Sequence, residues 1–326
     1  MRQHPFILIL AAIFMAIACP SHARLGTEYQ MQLGNPTEAK ADTNNHEHYL
    51  VQRRVFAMDY DDHESEPNWV SWDLTAEDMG PAKRSPGFHS DPELPVTFHH
   101  VKSADYKGSG FDRGHMCPSA DRTDNAEDND AVFTMANIIP QAPDNNQGVW
   151  EKLEADCRDW AKAGNELLIV CGPADFNGQN LQAGDPVAVP SHTWKIVVIV
   201  PEGPGSVISR ITAATRVIAV NIPNISGVRN DPWTKYSCSV GQIEAMTGFR
   251  FFTALAPNLA QALKAKVDGQ ATPVAVQATV VAQTRNADPA PGQTEWVPVA
   301  IVVLSIVLVL VIVVMALFYR KAKQNR

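Results

Sequence analysis

The apolar positions of this chain fall into two unbroken runs at its ends and a patterned middle. The first run, Phe6 to Ala18, has no repeating polar face. Arg2 and His4 precede it and the small-x-small triplet Ser21-His22-Ala23 follows it, so residues 1–23 are expected to be a signal peptide with a mature start at Arg24. Cys19 after Ala18 leaves a lipid-modified start open. The second run, residues 298–319, is long enough to cross a hydrocarbon core of ~30 Å at ~1.5 Å per residue. Trp296 and Tyr319 flank it, and Arg320, Lys321, Lys323 and Arg326 follow, the charge bias of a cytoplasmic tail. A single C-terminal transmembrane helix contacting a lipid bilayer is therefore expected, with the preceding domain outside the cytoplasm and a tail at 320–326 inside.

Between the ends the pattern alternates between strand and helix. Residues 24–47 are polar and expected to be loosely ordered. His48–Ala57 and Asn68–Leu74 read as strands from their β-branched and aromatic content, joined by an acidic turn, Asp59–Glu66. Met79–Val101, rich in Pro, Gly and Asp, reads as loop. Asp124–Met135 reads as a helix and Asn146–Ala163 as a clearer one, with Trp150, Leu153, Cys157 and Trp160 on one stripe. Glu166–Cys171, Trp194–Val200 and Arg210–Val220 read as strands, and Ile243–Thr247 opens a helix that Gly248 stops. From 265 to 297 Ala, Val, Gln, Thr, Pro and Gly dominate, the composition of a stalk. These segments imply one α+β domain, residues 48–264.

Charge narrows the function. The 326 residues carry a formal net charge of −8. Five of the 27 basic residues lie in the two end segments and none of the 35 acidic ones does, so the remainder carries −13. Non-specific nucleic-acid affinity is built on phosphate contacts, so this balance argues against a stoichiometric nucleic-acid-binding module. It argues less against an enzyme, which needs only a local basic cleft. Cys117, Cys157, Cys171 and Cys238 permit two disulfides in three connectivities, or free thiols.

The densest chemistry is Phe111-Asp112-Arg113-Gly114-His115-Met116, continued by Cys117-Pro118-Ser119-Ala120-Asp121-Arg122. The segment is too polar for a core strand; Asp112 is placed to orient an imidazole or fix the turn, Arg113 to meet a phosphate, and Gly114 to let the backbone come close. On the following helix, Glu154 and Arg158 stand four apart, and Asn146 sits at the start. Periodicity alone favours an N-cap and a surface ion pair there. His115 and Cys117 could also share a face as a Cys/His hydrolase pair. His46-Glu47-His48 and His99-His100 could hint at zinc, but lack a third ligand at a usual spacing.

DRGHM, then Asn137-Ile138-Ile139-Pro140-Gln141, then Asn145-Asn146-Gln147-Gly148-Val149-Trp150 with Leu153-Glu154, in this order and spacing, resembles the DNA/RNA non-specific endonucleases of the ββα-metal (His-Me finger) class. RRVFAMDY, NWVSWDLT, ELLIVCGP, the WKIVV strand and EAMTGF extend the resemblance over roughly residues 48–253. The resemblance implies a mixed sheet with helices, whose active unit is two strands and a helix around one metal. It implies Mg²⁺, with Mn²⁺ able to substitute, and hydrolysis of DNA and RNA without strong sequence or sugar preference, leaving 5′-phosphate ends. A neutral imidazole at His115 is then the general base. Asn146 is the single protein ligand of a hydrated cation, which stabilises the phosphorus charge and supplies the proton for the leaving 3′ oxygen. Glu154 holds metal waters. Arg84 clamps a phosphate, in a loop of different length from the family's. Asn137 supports the site, Arg113 and Arg158 meet phosphate, and Asp112 orients. Family members are often dimers, which leaves a homodimer open, though no interface is legible in the sequence. The contrasting expectation is a catalytically inactive, membrane-tethered nucleic-acid receptor.

Overall fold

Strict alternation of large apolar residues builds the central sheet, and its two covered faces explain why its strands read as unbroken apolar runs. In β6 (Asn165–Asn180), Leu167, Ile169 and Cys171 face one core, while Leu168 and Val170 face the other. In β7 (Ala188–Pro201), Trp194, Ile196, Val198 and Val200 face the second core and Val197 and Ile199 the first. The computed structural model describes residues 26–184 and 186–269. With β1 (Tyr49–Gln52), β2 (Ala57–Asp61), β3 (Glu66–Leu74) and β8 (Arg216–Pro223), these strands form a six-stranded sheet of order β1-β2-β3-β6-β7-β8. Every named strand pair is antiparallel, and a parallel bridge, Lys40 to Tyr49, lies at the β1 edge.

Helices cover both faces. The first core takes Val132 and Phe133, just after α1 (Ala126–Ala131), and Leu153, Cys157 and Ala161 of α2 (Glu151–Lys162). The second takes Val207 of α3 (Val207–Arg210), Val240 and Ile243 of α4 (Val240–Thr247), and Ala260 and Leu263 of α5 (Pro257–Lys264). Gly248 stops α4 with a left-handed φ of 76°, as its sequence position predicts. A separate hairpin, β4 (Asp112–His115) with β5 (Ile138–Gln141), lies ahead of α2 in the chain.

Several expectations are corrected. Residues 26–39 pack against the domain rather than lying loose: Gln30 is buried, donates to the Arg54 carbonyl at 2.8 Å and accepts from the Asp73 amide at 3.1 Å. Polar side chains there found buried partners, which composition does not show. The acidic stretch 59–66 is half strand: β2 runs to Asp61 and β3 starts at Glu66, leaving a four-residue turn with Ser65 at φ 56°. Buried Asp59 is matched by Thr37 and His48. The first helix shortens to six residues, and the strand expected from Arg210 begins at Arg216. The four cysteines are free thiols.

The transmembrane helix is also corrected. Among the described residues, no helix is long and apolar enough to cross a membrane. The run at 298–319, like the signal peptide at 1–23 and most of the stalk at 265–297, lies outside the described residues.

Candidate active site

The hairpin brings the two motifs together. His115 opposes Ile138 and Asp112 opposes Gln141 across β4 and β5. Gly114 leaves room for the Gln141 side chain, since a Cβ there would lie 1.9 Å from the Gln141 Oε1. The Gln141 side chain instead donates to Asn145 Oδ1 at 3.0 Å, and Asn145 donates to Thr193 Oγ1 and the Pro223 carbonyl, both at 3.0 Å. That chain of amides pins a widened helical turn, Asn145–Trp150, ahead of α2. Gly148 lets the turn lie on the 229 backbone, where a Cβ would come within 2.5 Å of the Arg229 Cα.

The turn presents Asn146 to Asp112. Asn146 Nδ2 donates to Asp112 Oδ2 at 2.9 Å, and Gln147 Nε2 donates to the same oxygen at 2.7 Å. A carboxylate accepts only, so it fixes which end of the amide it meets and leaves Asn146 Oδ1 as the end turned from Asp112. The predicted ligand and the predicted orienting residue are therefore in contact.

His115 is buried, at 8% exposure. Its ring packs between Phe88, at 5.2 Å, and Phe133, at 4.8 Å between centroids. Arg84 lies over Phe133 and Arg113 over Phe88, each at 4.8 Å. Each aromatic neighbour of the imidazole thus carries a guanidinium against its ring. Burial first, and the Arg84 charge second, push the His115 pKa down to about 3. The ring is neutral at physiological pH, and Nε2 has no hydrogen-bond partner among the described residues.

The remaining predicted residues divide. Glu154, on α2, has its carboxyl pushed up to about 7 by burial, which Lys195 opposes. Its charge also acts on Arg84. Asn137 is fully buried; its Nδ2 donates to the carbonyls of Cys117 and Val132, both at 2.9 Å, and its Oδ1 accepts from the Cys117 amide at 3.0 Å. It holds the chain two residues past His115. Arg158 is turned to acids, with Nη1 3.3 Å from Asp121 Oδ1 and Nη2 3.7 Å from Glu151 Oε1. Arg113 also donates to Ser103 Oγ at 2.8 Å. Cys117 is buried and its thiol pushed well up by burial, which disfavours a thiolate nucleophile.

Oxygen donors dominate the Asn146 end of the site: the Asn146 amide and the carboxylates of Asp112 and Glu154. That chemistry suits a hard, mostly hydrated divalent cation. Among the described residues no three His, Cys, Asp or Glu side chains group to cage a metal. His46 and His48 instead pair singly with Asp62 and Asp59, at 2.7 and 2.8 Å. A cleft of about 640 Å³ lined by Glu244, Phe251, Leu255 and Lys264 contains none of these groups; chemistry, not size, locates the site.

The pattern reading passed over Lys195. It is 1% exposed, within the apolar run of β7, with Nζ 3.5 Å from Glu154 Oε1. A charge inside a run that is otherwise Trp, Ile and Val was the available signal.

A family model for DNA/RNA non-specific endonucleases matches residues 33–258. A nuclease of Nostoc sp. is 44% identical over 236 residues, covering 72% of this chain and 85% of that protein. Human mitochondrial nuclease EXOG is 29% identical over 242 residues, 69% of this chain and 60% of that protein. A solved EndoG/EndoGI complex shares the fold at a TM-score of 0.59 and 22% identity, covering 72% of this chain and 95% of that one. The expected single-pass placement, with an outward domain and a cytoplasmic tail, is corrected by the absence of a membrane-crossing helix among the described residues and by relatives named as mitochondrial nucleases.

Proposed function

Because the chain belongs to the DNA/RNA non-specific endonucleases and is a nuclease, we propose that it cleaves phosphodiester bonds at the β4–β5–α2 site, with His115 as general base. The observation that carries this reading is the buried, neutral His115, whose Nε2 has no partner among the described residues and whose ring lies between two arginine-bearing aromatics. A base must start unprotonated, and burial secures that. A substrate phosphate beside Arg84 would offset the guanidinium charge that now depresses the imidazole. Base strength would then rise when substrate binds.

Asn146 would hold the cation through Oδ1, with Asp112 fixing the amide and Glu154 accepting from the ion's waters. Metal dependence is general in the family, and Mg²⁺, with Mn²⁺ as a substitute, matches this all-oxygen donor set. The bound ion would supply electrostatic stabilisation of charge developing on the phosphate. Arg84 and Arg113 would bind phosphate oxygens on the two flanks of His115. All these groups address phosphate and none a base edge or a 2′-hydroxyl, so DNA and RNA would both be cut, leaving 5′-phosphate ends.

Nicking of supercoiled plasmid and digestion of RNA, with Mg²⁺ and with EDTA, test the reading beside His115→Ala. Cation-dependent cleavage that the variant loses by about 10²–10⁴-fold is expected. Full activity in His115→Ala would remove the base, and no cleavage with any divalent cation would remove the function.

A further inference from the structure

A lysine buried in an apolar strand has a cost that its surroundings must offset. Lys195 sits on β7 between Trp194 and Ile196, which face the second core, so its own side chain enters the first core with Val197 and Ile199. There its ammonium stands 4.1 Å over the Trp150 ring and 5.5 Å from that of Trp72. Trp150 ends the turn that carries Asn146, and Glu154 follows one helical turn later. Lys195 therefore touches both halves of the cation end of the site from beneath.

We propose that Lys195 is a positioning residue of the nuclease reaction: it holds Glu154 as an oriented carboxylate facing the cation's waters and, through Trp150, braces the Asn146 turn. The inference rests on the proposed site. Four charged groups act on Glu154: Lys195 from β7, Arg158 from α2 itself, Asp121 from the turn after β4, and Arg84 from the loop before β4. Arg158 is shared with Asp121 and Glu151, whereas Lys195 makes its ion pair with Glu154. Burial works against the Lys195 charge, yet Glu154 and the neighbouring thiols and Asp121 keep its pKa above the ordinary value. The 3.5 Å separation keeps the ammonium within ion-pair distance of Glu154 Oε1. Asp121 has other partners, donors from Trp72 and Arg158.

The test is a double-mutant cycle on the full chain, Lys195→Met, Glu154→Gln and both together, read by Mn²⁺ binding without nucleic acid (electron paramagnetic resonance) and by the Mg²⁺ dependence of nicking. Lys195→Met should weaken Mn²⁺ binding and raise the Mg²⁺ half-saturation by about 10–100-fold, with the plasmid KM unchanged. Adding Lys195→Met to Glu154→Gln should change either value by no more than about twofold, the scatter of independent sites. Equal losses in both backgrounds, or none in the wild-type background, would overturn the inference. If Lys195→Met alone does not fold, the double variant, which leaves no unpaired buried charge, should fold; a double variant as unstable as the single one overturns the pairing. A Glu154→Gln protein that binds Mn²⁺ and nicks like wild type would instead sink the reading of the site itself.

Discussion

Asn137→Ala separates a brace from a catalytic group. The side chain is 0% exposed and makes three hydrogen bonds, all to backbone, at 2.9, 2.9 and 3.0 Å. Two reach Cys117 and one reaches Val132, so the amide ties the strand leaving His115 to the segment after α1. Truncation removes all three and leaves buried backbone donors and acceptors without partners. Each such bond contributes about 1 kcal/mol, and stranding a buried partner costs about 1–3 kcal/mol. With overlap between these effects, a loss of about 3–5 kcal/mol is expected. A domain of this size shifts by about 2–4 °C per kcal/mol, so melting should fall by about 10 °C. Total stabilities of about 5–15 kcal/mol leave the variant folded at 20 °C.

Differential scanning calorimetry gives the shift, and nicking at 20 °C gives the activity of the folded protein. Activity should fall because His115 is less well placed, with plasmid KM little changed. A melting temperature within about 1 °C of wild type, with nicking down by orders of magnitude, would refute the brace. Asn137 would then have to touch substrate despite its burial.

Two further outcomes follow from the same geometry. Gly148→Ala would push a Cβ to 2.5 Å from the Arg229 Cα and 2.8 Å from its carbonyl oxygen; backbone yields poorly, so melting should show a loss of about 1–3 kcal/mol and the Mg²⁺ half-saturation should rise, whereas an unchanged pair of values would show that the turn is free to move. His115 is neutral when folded down to about pH 3 but takes a proton in the unfolded chain near pH 6.5, so it destabilises the fold as pH drops through that window; between pH 7 and 5 wild type should lose about 2 kcal/mol more than His115→Gln in urea melts, and equal losses would mean that the imidazole is not buried neutral.

Much of the fold was legible where one physical signal dominated. Unbroken apolar runs gave β6 and β7, because both faces of the sheet are covered. The stripe of Trp150, Leu153 and Cys157 gave α2, and all three are buried in the first core. Gly248 marked a helix end through its left-handed backbone. Local pattern failed where partners were remote in sequence. The polar segment 26–47 looked loose because Gln30 meets Asp73 only in three dimensions. Asp59 looked like turn for the same reason. At the site, order and spacing of DRGHM and NNQGVW marked both segments, but did not show that Asp112 meets Asn146, that Asn137 is enclosed or that Arg158 is turned to acids.

The acidic balance of the chain and its nuclease chemistry are reconciled by where the cations stand. Arg84 and Arg113 are exposed and lie on aromatic faces beside His115, and neither makes an ion pair with a carboxylate among the described residues. Many other basic groups are already matched: Arg53 with Asp91, Arg54 with Asp128, Arg122 with Asp78, Arg210 with Glu166 and Arg216 with Asp268. Non-specific affinity scales with the phosphates that free cations neutralise, so the matched arginines add little to it and the two beside His115 are the first candidates to meet phosphate. Binding should accordingly show a shallow salt slope: with about two phosphates neutralised, log K should fall by about 2 per decade of salt. The slope is measurable with His115→Ala and a short DNA duplex. A slope several times steeper would mean that a basic surface beyond these two arginines grips the substrate.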